Sequence, residues 1–204
     1  MIKAIIFDYG KVIGNDPSDY IYKAVSKEFK ISKDKIRDEF FKFIFPLEKG
    51  KIPEKIFWKK FAENLKIANY RKLRKIWIEE FQKHAEIDKK VLSLIHKLKN
   101  YYRLCLLSNN AIFYQKPSLT TLLKKNFSTI IYSFKIKMRK PENIIYLYTL
   151  KKLNLKPEEC LIIDDDESKL SYPKKLGMKT IHFKSFLQFK DDLIAKLNNE
   201  RLVI

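Results

Sequence analysis

The chain is poor in the residues that build disulfide and zinc frameworks. It has two cysteines, Cys105 and Cys160, and three scattered histidines, His84, His96 and His182, in 204 residues. Both cysteines sit inside strand-like apolar runs. They read as buried thiols of a reducing compartment, not as a disulfide pair. Two thiols without clustered histidines fit a structural zinc site poorly, and the histidines read as structural or exposed. Long hydrophobic runs are also missing, and the longest falls far short of a membrane span. Asp8 and Gly10 interrupt the amino-terminal apolar stretch too early for a signal peptide. The expectation is a cytoplasmic protein with no membrane partner. There are no internal repeats or low-complexity tracts.

Acidic residues are scarce, 24 against 43 lysines and arginines, for a net charge of +19. Such a balance invites a nucleic-acid reading. The lysines, however, are spread along every expected helix and not gathered in one tail or stripe, which is the pattern of solvated helix faces. Nucleic acid is therefore not the expected partner. The positive surface should instead draw small anions toward a cleft. Hydrophobic residues make up 46%, so an ordered core is expected. The length suits one domain, or a domain carrying an insertion.

Apolar periodicity divides the chain. Residues 3–7 read as a buried strand. From about Ser18 to His84 four stripes repeat at helical spacing, among them Tyr20, Ile21, Val25 and Phe29, then Ile36, Phe40 and Ile44. Four amphipathic helices with short links suggest a small bundle, with the Phe and Trp stripes as its core. After Asp88 helices and strands alternate. Strands are expected at Arg103–Leu107, Thr129–Ser133, Cys160–Ile163 and Lys179–Phe183, and helices at Glu142–Leu153, Ser168–Leu176 and Leu187–Leu197. Alternation of this kind implies an α/β fold, a Rossmann-like parallel sheet flanked by helices. The helical block interrupts it after the first strand. The expected division is a core of residues 1–16 and 86–204 and an inserted α-helical bundle, a cap, at 17–85.

Four apolar runs end in polar groups: Asp8, Ser108-Asn109, Lys140 in the loop Met138-Arg139-Lys140-Pro141, and Asp164-Asp165. Strands of a parallel sheet share one carboxyl edge, where ligands bind, so these groups can converge. The set contains a candidate nucleophilic carboxylate, a hydroxyl, an ammonium, and an acidic pair suited to Mg²⁺. Lysine and a divalent cation would neutralise phosphoryl charge.

These segments resemble the motifs of the haloacid dehalogenase-like hydrolase superfamily. Phe7-Asp8-Tyr9-Gly10-Lys11-Val12-Ile13 resembles its first motif, Leu106-Leu107-Ser108-Asn109 the second, Met138-Arg139-Lys140-Pro141 the third and Ile162-Ile163-Asp164-Asp165 the fourth. Glu48-Lys49-Gly50-Lys51-Ile52 resembles a loop of the helical cap in a phosphatase branch that includes bacterial glucose 1-phosphate phosphatases. The resemblance implies Asp8 as nucleophile, with the carbonyl of Gly10 and the carboxylate of Asp165 as Mg²⁺ ligands and Asp164 in support. It implies Ser108 and the amide of Asn109 as phosphoryl donors, and Lys140 as the neutralising cation.

Two positions depart from the pattern. Many family phosphatases carry an aspartate two residues after the nucleophile as general acid and base, and here that residue is Gly10. Asp or Asn is common four residues after the metal-binding aspartate, and here it is Lys169, placed to pair with Asp164 or Asp166 or to weaken metal binding. The leading expectation is a Mg²⁺-dependent phosphatase of a small phosphorylated metabolite, a sugar phosphate first among them. Asn15, Asp16 and the cap residues near Gly50 are expected to choose the substrate. A catalytically degraded binding or regulatory module, a metal-independent 2-haloacid dehalogenase and a nucleic-acid-associated phosphatase remain as alternatives. The acidic pair Asp164-Asp165 favours a cation, and with it phosphate over carbon–halogen chemistry.

Overall fold

The structure, a computed structural model, describes residues 1–197. Residues 198–204 of the expected core segment lie outside the described residues. Five strands form one parallel sheet in the order β3-β2-β1-β4-β5: β1 Ala4–Phe7, β2 Arg103–Ser108, β3 Thr129–Tyr132, β4 Cys160–Asp164 and β5 Lys179–His182. The central strand β1 is buried throughout. Ile5 and Phe7 join one apolar cluster with Leu104, Leu106, Leu161 and Ile163. Ala4 and Ile6 join another with Cys105, Leu107, Cys160 and Ile162. Alternate residues of a strand face opposite ways, so a sheet covered on both faces needs unbroken apolar strands. Both cysteines are free and buried there.

The register decides where the chemistry falls. Phe7 pairs with Leu106 on one side and Ile163 on the other. Asp8, one residue further, therefore lies beside the ends of β2 and β4. The chain builds outward from β1 to β2 and β3, then returns to add β4 and β5 on β1's other side. That reversal makes the β1/β4 boundary a topological switch point, where a crevice opens at the carboxyl edge.

Between β1 and β2 lie α1 Ser18–Phe29, α2 Lys33–Glu48, α3 Glu54–Asn64, α4 Tyr70–His84 and α5 Lys89–Leu98. Helices α1 to α4 share a cluster of their own, with Phe57, Trp58, Phe61 and Trp77 essentially inaccessible. Ser32 and Asn69 cap α2 and α4 by accepting from the Lys35 and Lys72 amides, a stabilisation of roughly 1 kcal/mol each. Phe113, just past β2, completes the cluster by packing on Trp58 with ring centroids 5.0 Å apart. The two chain crossings into this insertion run side by side. Asn15 donates to the His84 carbonyl and accepts from the Glu86 amide, at 2.8 and 2.9 Å.

After β2 come α6 Pro117–Asn126, a short α7 Ser133–Ile136, α8 Asn143–Leu153, α9 Ser171–Lys175 and α10 Phe186–Leu197. Two expectations are corrected here. The third strand stops at Tyr132, and Ser133 begins a helical turn. The expected helix Ser168–Leu176 is a 3₁₀ turn at Glu167–Lys169 followed by the separate α9. Pro173 is the reason, because it has no N–H to offer the Lys169 carbonyl. The Tyr146 hydroxyl donates to that carbonyl instead, at 2.6 Å.

Candidate active site

Asp8 leaves β1 with only 6% of its surface exposed. Its amide donates to the Ile163 carbonyl at 2.9 Å, and the Tyr9 amide donates to its Oδ1 at 2.7 Å. The turn thus fixes both the backbone and the carboxylate. Lys140, 1% exposed, brings its Nζ to 3.0 Å from Asp8 Oδ1 and also contacts Asp164 Oδ2. Asp164 ends β4 fully buried, and the Asp166 amide donates to its Oδ1 at 3.1 Å. One buried ammonium between two buried carboxylates leaves a net negative centre. Burial is the main force raising the Asp8 carboxyl above its ordinary range; Lys140 opposes it and Asp164 reinforces it. Asp165, half-buried beside them, is raised chiefly by burial as well.

Asp8, Asp164 and Asp165 can each offer an oxygen within 4.8 Å of the others. Clustered hard carboxylate oxygens suit Mg²⁺, so this donor set fits that ion. Ser108, the last residue of β2, is buried with its Oγ 3.3 Å from the Asn109 carbonyl. Asn109 does more than the sequence suggested. Its side chain grips the backbone of Lys140, donating to the carbonyl at 2.9 Å and accepting from the amide at 2.8 Å. It therefore holds the lysine loop against the end of β2.

Gly10 lines the crevice, and a Cβ there would meet nothing within 4 Å. Space for a side chain exists, so glycine is not a packing requirement. Lys169 turns inward. Its Nζ lies 3.5 Å from Asp164 Oδ1, 3.9 Å from Asp8 Oδ2 and 3.6 Å from Asp166 Oδ2. Burial pulls this ammonium's pKa down, but the surrounding carboxylates outweigh it and raise the group.

The crevice continues under α2. One cavity of about 400 Å³ holds Asp8, Asp165, Lys169, Arg139 and Glu48. A second, of about 220 Å³, runs between the insertion and the end of β2, walled by Tyr22, Phe40, Phe41 and Tyr114 with Asn109, Asn110 and Ser18 among its polar groups. Glu48, Asn15 and Asp16 line both. The side chains of Glu48 and Arg139 pair at 3.1 Å. Burial raises the Glu48 carboxyl, and Arg139 offsets this only in part. Sequence reasoning gave this pair no role. The two lie 91 positions apart, so no spacing linked them, although each falls inside a motif-bearing segment.

The family model for haloacid dehalogenase-like hydrolases matches residues 5–183, a span containing every group just described. The chain belongs to this family. Among the curated haloacid dehalogenase-like relatives, the D-ribitol-5-phosphate phosphatase of Bacteroides thetaiotaomicron is 27% identical over 98% of this chain and 100% of its own. A phosphorylated carbohydrates phosphatase of Thermotoga maritima is 32% identical over a shorter stretch, 29% of this chain and 28% of its own. Among solved structures, a family enzyme from Bacteroides thetaiotaomicron in complex with magnesium and inorganic phosphate superimposes with a TM-score of 0.72 at 23% identity, covering 91% of this chain and 96% of that one. An L-2-haloacid dehalogenase aligns with a TM-score of 0.64 at 18% identity, covering 93% of this chain and 87% of that one. At these identities the solved structures establish the fold.

Proposed function

We propose that this haloacid dehalogenase-like hydrolase is a Mg²⁺-dependent phosphatase of a small phosphorylated carbohydrate, working through an aspartyl-phosphate. The observation that carries this reading is Asp8, held at the mouth of the crevice by Lys140 beside the Asp164–Asp165 pair. The two relatives named for carbohydrate phosphates support the substrate class. The neighbour holding magnesium and phosphate supports the cofactor. Asp8, Asp165 and the carbonyl of Gly10 would hold Mg²⁺, with Asp164 in support, and the ion would neutralise phosphoryl charge.

The chemistry then falls to the chain. An Asp8 oxygen attacks phosphorus while the ester P–O bond breaks. Lys140 neutralises the nucleophile and phosphoryl oxygens, and Ser108 with the Asn109 amide donates to the phosphoryl group. The departing alkoxide needs a proton, and Gly10 has none to give. Three further carboxyls line the cavities. Asp16 is tied to the Ser18 amide and Lys11, and Asp166 caps Ser168 and is held low by that bond. Glu48 remains, its side chain 15% exposed beside the crevice and its pKa raised by burial, and we assign it the proton. Water then cleaves the aspartyl-phosphate, giving its proton to Glu48 and releasing inorganic phosphate. The helices of residues 17–85 act as the cap that closes over this edge of the core, excluding water during transfer.

Phosphate release from an activated aryl phosphate, with and without Mg²⁺, tests the reading. Mg²⁺-dependent turnover that disappears in Asp8→Asn is the expected result, followed by a screen of polyol and sugar phosphates. A folded wild type without turnover at high substrate concentration would move the protein to the binding-module alternative.

A further inference from the structure

Of the two residues that depart from the family pattern, Lys169 is the one whose side chain enters the site. Its ammonium enters an acidic centre that already contains Lys140. It faces Asp8 Oδ2 and Asp164 Oδ1, whereas Lys140 takes Asp8 Oδ1 and Asp164 Oδ2. The oxygens that Lys140 leaves open are thus the ones Lys169 covers. They belong to two of the three carboxylates that form the candidate metal site. We infer that Lys169 is a tethered counter-cation that competes with Mg²⁺ for the Asp8–Asp164–Asp165 group, so that this protein binds the ion more weakly than the same carboxylates would without it.

In one position the ammonium reaches Asp8 and Asp164 on the inside and Asp166 toward solvent. The backbone of Lys169 is pinned, its carbonyl accepting from the Tyr146 hydroxyl. The side chain runs from that anchor to the carboxylates and is 19% exposed. Its third partner, Asp166, lies on the outer rim with its side chain 45% exposed, against 0% for Asp164. A divalent ion held by these carboxylates would repel the ammonium from Asp8 and Asp164, and Asp166 would remain as its partner. Without metal, the tethered ammonium offsets carboxylate charge that burial makes costly. The protein should therefore tolerate metal depletion, and metal occupancy should follow the free Mg²⁺ concentration over a higher range. The inference rests on the proposal that these carboxylates are a metal site.

Mg²⁺ titration of metal-free wild type and Lys169→Gln, by calorimetry and by thermal melting, reads the competition directly. The neutral variant is expected to bind Mg²⁺ at least ~10-fold more tightly, a discounted share of the repulsion between close like charges. Its metal-free form should melt below metal-free wild type. An affinity that is unchanged, or weaker, in Lys169→Gln overturns the inference while leaving the metal site intact. Mg²⁺ binding by neither protein overturns both. A second readout needs no variant: labelling of Lys169 by an amine-reactive reagent, followed by peptide mass spectrometry. Saturating Mg²⁺ should accelerate labelling as the ammonium moves outward, and unchanged or slower labelling rules the exchange out.

Discussion

Lys140 is a fully buried ammonium at the centre of the site. Asp8 and Asp164 share it, and Lys140→Met would leave those two buried carboxylates only the longer contacts of Lys169, at 3.9 and 3.5 Å. Such a loss costs ~3–5 kcal/mol, so urea melts of metal-free Lys140→Met should show a drop of that order and no turnover. Glu48 offers a sharper test, because an acid matters in proportion to how badly the leaving group needs a proton. Glu48→Gln should cut turnover of alkyl phosphates by ~10²-fold or more and that of aryl phosphates only slightly. Its protonated form is the active one, so alkyl-phosphate turnover should fall as pH rises through the raised Glu48 pKa, and the variant should lose that limb. Equal losses on both substrates would show a positioning role instead. Gly10 allows the converse experiment. A Cβ there meets nothing within 4 Å and the residue lines the open crevice, so Gly10→Asp should fold and raise alkyl-phosphate turnover ~10-fold or more by adding a second acid. Unchanged turnover, in a variant that still binds Mg²⁺, would show that proton transfer does not limit the rate.

Among the elements, the turn after α2 is where the inserted bundle meets the core. Glu48 pairs with Arg139, and Lys49 pairs with Glu142 at 2.5 Å. Between those pairs the backbone itself makes contact. Gly50 has φ +58°, and a Cβ there would lie 2.5 Å from the Phe134 carbonyl oxygen of α7. Gly50→Ala combines a left-handed backbone with that clash, so a loss of roughly 1–3 kcal/mol in melting experiments is expected. KM should rise with it, because Glu48 and the wall of the crevice shift with the turn. A variant with wild-type melting and KM would show that the seam is loose. This contact was invisible in the sequence because the expected strand ran through Ser133 and no element was expected at residues 134–137, where most of α7 lies. The strands themselves were legible: full burial on both faces demands unbroken apolar runs, and their polar ends mark the carboxyl edge. Ser168–Leu176 is not one helix because Pro173, visible in the sequence, leaves the Lys169 carbonyl without a backbone donor, which periodicity alone does not register. Asp8, Lys140 and Asp164 could be named from strand ends and motif order. The pairing of Lys169 with Asp164 and Asp166 was also legible, but its reach to Asp8 and the Glu48–Arg139 pair needed coordinates, since each depends on chain segments that only folding brings together.

At the scale of the whole molecule, the charge of +19 and the acidic centre act on different lengths. Within a few ångströms of Asp8 the carboxylates dominate, and they need a cation before a phosphate dianion can approach. Further out, the lysines on the helix faces set the field. Among the described residues no helix is long and apolar enough to cross a membrane. Diffuse positive potential raises the encounter rate of small anions and is screened beyond about 10 Å at 0.1 M salt. The consequence is specific to one kinetic parameter. With Mg²⁺ saturating and phosphatase turnover established, kcat/KM for a phosphate monoester should fall several-fold as ionic strength rises from about 10 to about 200 mM. Encounter is a long-range event, whereas the bound ester sits in a crevice whose short contacts salt hardly reaches, so kcat should stay constant. A neutral competitive ligand of the crevice should show no such dependence. Flat kcat/KM across the range would mean that the lysines are too evenly spread to steer anything, and that the surface charge serves solubility alone.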